Sequence, residues 1–321
     1  MLRFLLGFDW RKSNAHLLFL SKFLHPKTPD DFAESDAWKK VLGESPKQAS
    51  KRFLDEGMLA QADLSSQLDY KCKVTELKDM LKKRGVTVSG RKGDLIQRLI
   101  QADPDGMKQV VAGLTILICS ERSQEITEQY IANEKAKRNK IEQQVIDCLR
   151  QRKFKEASVT VASYEAEQVF PRGMGIDWKH YDPKRDITML NIIFGSKPKI
   201  LARLNDGQLD TLRFAAGMIY LWGTNQGQEW LPPDFQTGLV MDNDAATRMF
   251  FFHASHRVNI DNYKQSGVIK QVEILATQDS CDACKKISGK RFKLNDVIEL
   301  PYEHCTHEMG CRCTVSPIVK W

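Results

Sequence analysis

Between Leu68 and Ala102 apolar residues recur at helical spacing on either side of a glycine-bearing turn, a pattern that few folds satisfy. Val74, Leu77, Met80 and Leu81 fall on one face of a first helix, with Thr75 as its expected cap and Asp79 in its first turn. Gly85 follows Arg84 where a helix C-terminus takes a left-handed residue. Val86 and Val88 read as extended and Gly90 turns the chain. A second helix runs from about Arg91, with Leu95, Ile96 and Leu99 facing inward. The same stretch holds nine basic residues against four acidic ones, so +5 of the chain's formal +7 sits in about a tenth of its length. Charge gathered with one sign is the footprint of a surface that neutralises phosphates.

These residues resemble the SAP domain family, through Val74, Leu77, Lys78, Leu81, Gly85, Gly90, Lys92, Leu95, Arg98 and Leu99. The resemblance implies a helix–loop–helix module that binds DNA, with a preference for AT-rich duplex or branched DNA. Elementary electrostatics points the same way. Gly90, Arg91 and Lys92 open the second helix, so free amides, the helix dipole and two side-chain charges can converge on one phosphate. Lys78, Lys82 and Lys83 would extend that surface, and Arg84 and Arg98 complete the expected DNA-binding set. Such contacts position a protein on duplex without reading sequence, so binding should be salt-sensitive and weakly selective. The competing reading is a solvated basic hairpin that only keeps the chain soluble; the turn glycines and apolar spacing favour a specific fold over a charge run. So small a unit should lean on its neighbours for stability.

At 321 residues the chain has room for two or three domains, and 42% hydrophobic against 28% charged residues marks it as globular, not disordered. The longest apolar run, 110–119, is too short for a membrane span and holds Gly113 and Thr115. The N-terminal apolar patch is interrupted by Asp9, Arg11 and Lys12, with no small-residue cleavage site after it. A cytoplasmic protein, with the nucleoid as its place if it holds DNA, is therefore expected, and no membrane partner.

The expected fold class is mainly α: a multi-helix chain with an embedded SAP-like helix–loop–helix and a small C-terminal α+β zinc-binding module. Residues 1–67 read as a helical scaffold. One helix starts near Ala15 and stops near Pro26; a second is capped by Ser45 with Pro46 at its first position and ends near Gly57; a third covers Ala60 to Leu68. Residues 68–103 are the basic module. Residues 104–243 form a central helical region. From Arg122 to Glu167 it lacks proline and glycine, and a turn is expected near Phe154, giving either a helical hairpin or an oligomerising coil. A protein partner could dock on these helices or on the C-terminal module. The segment 170–175 reads as a loop, further helices follow to Gln228, and Trp178, Trp222 and Trp230 read as core. Residues 244–321 comprise a long helix from about Asp244 to Tyr263, ended by Gly267, and a cysteine-rich tail.

Five of the eight cysteines lie in that tail, and in a reducing compartment such crowding argues for metal over disulfides. Cys281 and Cys284 form a CxxC that one tight turn can present to one ion; Cys305, Cys311 and Cys313 follow, with His304 and His307 among them. Zinc takes four nitrogen or sulfur ligands, and a closed set marks a structural site. The expected quartet is Cys281, Cys284, Cys305 and Cys311, with Cys313 or His307 able to replace one member. Val272, Ile274 and Ala276 before the site, and Cys313, Val315 and Ile318 after it, suggest flanking strands. Unliganded buried thiols and a redox CxxC are the rivals, the second lacking a thioredoxin-like strand-to-helix context in the sequence. The tail also resembles the phage Mu F-like minor head, or head-morphogenesis, family over 245–319. Val272, Asp279, Cys281, Cys284, Gly289, Lys290, Pro301, His304 or His307, and Cys311-Arg312-Cys313 carry that likeness. It departs from the family at the inserted Cys305 and at His307, one residue further than usual from Cys311, which leaves the ligand identities open.

Three functions follow: a non-enzymatic DNA-binding protein with a structural zinc module, a phage or prophage head-assembly factor, and a metal-dependent nuclease. The nuclease would need a histidine base. His253 with His256, one helical turn apart, and His304 with His307 are the available pairs, and the first reads more readily as packing. No HExxH, acidic metal pair or His-Asn pattern accompanies them, and Gly217, Gly223 and Gly227 are not spaced to cradle a phosphate. The first function is the expectation carried forward.

Overall fold

The computed structural model describes residues 9–319 apart from Glu34, Met174 and 224–226, so the N-terminal apolar patch and part of the 170–175 loop lie outside the described residues. The chain divides into two compact units, 1–138 and 139–321.

In the first unit α1 (Asn14–Ser21) runs into a 3-10 turn, Lys22–Leu24, ahead of Pro26. Helix α2 (Asp36–Leu42), unforeseen in the sequence, starts on Ser35 and ends at Gly43, whose φ of 72° suits glycine. Helix α3 (Pro46–Asp55) begins as expected: the Ser45 hydroxyl accepts from the Gln48 amide at 3.2 Å, and the Gln48 side chain accepts from the Ser45 amide at 3.0 Å. Phe19 packs against Phe23, Phe32 and Trp38 with ring centroids 5.1–5.4 Å apart, and this aromatic cluster forms the core of the scaffold.

The helix expected over Ala60 to Leu68 is shorter. Its first part is β1 (Leu59–Gln61), and α4 (Leu64–Lys71) starts only after Asp63, whose carboxylate accepts from the Ser66 amide at 2.7 Å. Then follow α5 (Val74–Lys83), α6 (Lys92–Ala102), α7 (Pro104–Val111) and β2 (Leu117–Cys119). Strand β2 pairs antiparallel with β1, Leu59 opposite Cys119 and Gln61 opposite Leu117, and the Ala62 amide donates to the Ile116 carbonyl at 2.9 Å. The bundle α4–α7 is thus an insertion that leaves and re-enters the scaffold through neighbouring strands. Its core is its own: Leu68, Leu77, Leu81, Leu95, Leu99 and Met107 pack together. The boundaries expected at 67/68 and 103/104 fall inside this bundle, because α4 and α7 supply the apolar surface the two basic helices lack.

Helix α8 (Glu121–Arg150) is unbroken, and the turn expected near Phe154 is 151–153, with Arg152 at a φ of 58°. In the second unit the end of α8, through Val145 and Leu149, shares a core with α9 (Phe154–Ala166), α10 (Lys184–Gly195) and α11 (Asp206–Trp222). Trp178 and Trp222 are buried and Trp230 partly so. Helix α12 (Asn243–Ser266) ends at Gly267, φ 68°, as its sequence indicates. It packs against a three-stranded antiparallel sheet in the order β4-β3-β5, made of β3 (Gln271–Leu275), β4 (Arg291–Lys293) and β5 (Thr314–Ile318), with α13 (Asp282–Ile287) between β3 and β4. Ile274 faces Val315 and Val272 faces Pro317, a proline tolerated because β5 is an edge strand. The chain is mainly helical, with a small mixed module at its end. Among the described residues no helix is long and apolar enough to cross a membrane.

Candidate nucleic-acid interface and candidate metal centre

Helix α5 starts two residues earlier than Thr75 would allow as a cap: Lys73 precedes it, and the Glu76 carboxylate accepts from the Lys73 amide at 2.6 Å. Val74, expected on the buried face, is 40% exposed at the first position of the helix. Gly85 and Gly90 have φ of 66° and 115°. At Gly90 a Cβ would lie 2.8 Å from the Arg98 guanidinium and 2.9 Å from the Asp94 carboxylate, so glycine is required twice over. The Asp94 carboxylate accepts from the Arg91 amide at 2.9 Å and takes one free donor of α6.

The basic residues separate by what holds them. Arg84 donates to the Asp103 carboxylate, 2.9 Å from Nε, and to the Met80 carbonyl at 3.1 Å. Asp103 also accepts from the Gly106 amide at 2.8 Å, so its carboxylate starts α7 and anchors α5 while its backbone amide, donating to the Leu99 carbonyl, ends α6. The Arg84 hydrogen bond, helped by that amide, holds the Asp103 carboxyl below the usual carboxylate range. Arg98 donates to the Thr87 and Ser89 carbonyls and braces the inter-helix loop. Lys92 stands 3.1 Å from the Asp69 carboxylate and also bonds the Asp69 carbonyl. Lys82 and Asp79, both exposed, are 3.7 Å apart, a pairing that water largely screens. No ion pair is found among the described residues for Lys78, Lys83 or Arg91; Lys83 and Arg91 are exposed and Lys78 is half-buried. The expected set therefore divides into cations available to a ligand and cations already employed by the fold.

The tail brings its cysteines together. Cys281, Cys284 and Cys305 have sulfurs within 4.8 Å of one another, as do Cys284, Cys311 and Cys313, with Cys284 common to both groups. The Sγ–Sγ distances are 3.8 Å for Cys281–Cys305 and 4.0 Å for Cys284–Cys311. Four sulfurs placed about 2.3 Å from one zinc ion stand roughly 3.8 Å apart, so each of these pairs matches one edge of a thiolate tetrahedron, while the five sulfurs form two triplets that share Cys284. Amides support the sulfurs, Tyr302 N–H to Cys311 at 3.1 Å and Thr306 N–H to Cys281 at 3.5 Å. At Cys281 burial works against ionisation, but the Thr306 and Cys284 amides outweigh it and bring the thiol down to about 6. Among the described residues His307 belongs to neither group: Nδ1 accepts from the Met309 amide at 3.0 Å and Nε2 lies 3.2 Å from Arg312. Spacing alone could not tell His307 from Cys313; in the structure the Cys313 sulfur lies within 4.8 Å of those of Cys284 and Cys311, whereas His307 meets the Met309 amide and Arg312. One expectation is corrected: a strand-to-helix context does surround the CxxC, since β3 precedes it and Cys281 caps α13. The remaining cysteines, Cys72, Cys119 and Cys148, have thiols raised by burial.

Neither histidine pair joins a candidate metal group among the described residues. His253 and His256 are buried on α12, and burial drives both away from the charged form, His256 to about 4. Their nearest acid is Glu299, 3.7 Å from His253 Nδ1. His304 is exposed and meets Tyr302 edge-on. A buried cluster that sequence reading missed lies elsewhere in this unit: Asp186 accepts from Tyr181 and Tyr220, each at 2.8 Å. With Tyr220 standing 34 positions from Asp186, the sequence gives no local signal of it.

Comparison with known families gives one match: the SAP domain model covers residues 71–104. No curated protein and no solved structure matches the chain, so the likeness of the tail to phage minor head proteins rests on its motif alone.

Proposed function

We propose that this protein is a non-enzymatic DNA-binding protein whose α5–α6 module grips duplex through phosphate contacts, and whose cysteine tail holds one structural zinc ion. The observation that carries the reading is a SAP-type module, at 71–104, in which several cations are left unpaired by the fold. Lys78, Lys82, Lys83 and Arg91, with the opening amides of α6, are the contacts proposed; Arg84 and Arg98 shape the module that presents them. Cys281, Cys284, Cys305 and Cys311 are the proposed zinc ligands, with Cys313 as the neighbouring fifth thiol. Closed thiolate coordination supplies folding energy and leaves no open position for chemistry.

The test is a mobility-shift titration of a short duplex at several salt concentrations. Changing Lys78, Lys83 and Arg91 together to alanine should weaken binding at least tenfold at low salt. It should also flatten the salt slope by about 2.7, three phosphates at roughly 0.9 each. Circular dichroism should be unchanged. Undiminished affinity in the triple variant would refute the reading.

A further inference from the structure

Among the described residues, Lys92 is the module lysine that an element outside the two basic helices holds by an ion pair. Its ammonium sits 3.1 Å from the Asp69 carboxylate of α4, an element that precedes the matched segment, and it also bonds the Asp69 carbonyl. That carbonyl is free for a local reason. Helix α4 ends at Lys71, the Cys72 amide bonds Leu68, and the Lys73 amide, next in register, is taken by the Glu76 carboxylate. Lys92 therefore occupies the negative end of the α4 dipole together with a carboxylate.

We infer that Asp69 is an internal competitor for DNA: its carboxylate stands where a phosphate oxygen would, and affinity is set by exchanging one for the other on Lys92. This deepens the DNA-binding reading and rests on it. Three observations favour exchange over a permanent tie. Asp69 is 57% exposed and Lys92 32%, so a phosphate can reach both. Exposed pairs of this kind contribute little to stability, so releasing one is cheap. The Asp69 carboxylate has no second donor among the described residues, whereas Asp103, holding Arg84, also caps α7. Arg84 and Arg98 are locked; Lys92 is latched.

The experiment is fluorescence anisotropy with a labelled 20-base-pair duplex over a salt series, on the full chain and on Asp69→Asn, Lys92→Ala and the double variant. Asp69→Asn should tighten binding about threefold to fivefold and steepen the salt slope by about 0.9, one further phosphate engaged at all times. In the Lys92→Ala background the same change should move affinity less than about twofold, since the carboxylate acts through that lysine. Thermal unfolding checks each fold, with Asp69→Ser as the second variant. An unchanged affinity in Asp69→Asn, or equal tightening without Lys92, would overturn the latch while leaving DNA binding standing. A full chain with no affinity for duplex would overturn both.

Discussion

His256 shows what one buried side chain does to the pH response. Held neutral by burial, beside His253, it has a pKa of about 4 against 6.5 when exposed. The unfolded chain therefore binds the extra proton first, and stability present above pH 6.5 is lost as pH falls toward 4, by up to about 3 kcal/mol. Replacing His256 with Gln should flatten the decline of the thermal midpoint between pH 7 and 4.5; calorimetry showing parallel declines would remove His256 as the cause. At this scale sequence reading succeeds where the signal is local. Ser45, Gly85, Gly90 and Gly267 act as their types suggest, because caps and left-handed turns depend on a few adjacent residues. It falls short where a role depends on a distant partner. Lys92 and Arg84 read simply as positive, yet Asp69 and Asp103, 23 and 19 positions away, decide what each charge does.

Among elements, the alternation that flags β3 and β5 is absent from β1, which is the hardest strand to foresee. Three apolar-edged residues, 59–61, look like the start of the next helix, and only their partners 56–60 positions later make them extended. Helix α7 was hidden by the Pro-Asp-Gly that opens it, a turn signal that here serves as a first helical turn under the Asp103 cap. The paired ends of the α4–α7 bundle and its separate core make a clear prediction. Replacing residues 63–115 by a short glycine–serine turn should leave the scaffold folded, with its aromatic near-ultraviolet signal and a single cooperative transition, and should abolish duplex binding. A molten scaffold after this deletion would show that the two cores are one.

For the molecule as a whole, the cysteine tail shares the core of α10–α12 and adds a cluster of thiols at its edge. Between Gln271 and Ile318 the regular structure is three strands of five, three and five residues and a six-residue helix. The proposed zinc ion would tie thiolates from both ends of this segment together and couple its binding to folding. Removing metal with a chelator, or changing Cys284, common to both sulfur groups, to serine, should lower the thermal midpoint by about 10 °C. If the proposed zinc is bound, either should also reduce it to less than half of the untreated protein's content, read by elemental analysis. A chelated protein that melts as before would mean the thiols hold together unaided. The grouping of Cys281, Cys284, Cys305, Cys311 and Cys313 was legible from spacing, whereas the exclusion of His307 required the turn that points it toward Arg312.

The paired strands at the root of the inserted bundle bear on how the protein would take mechanical load. Polymer bound to α5 and α6 can be pulled by thermal motion or by enzymes travelling along it. Because both strands enter the bundle side by side, tension reaches β1 and β2 in the same direction, and neither is peeled from the other. Both strands are also rooted in the scaffold core, through Leu59 and Leu117, so the load is shared by two attachments. A tether joined at a single end would instead unravel from its point of attachment.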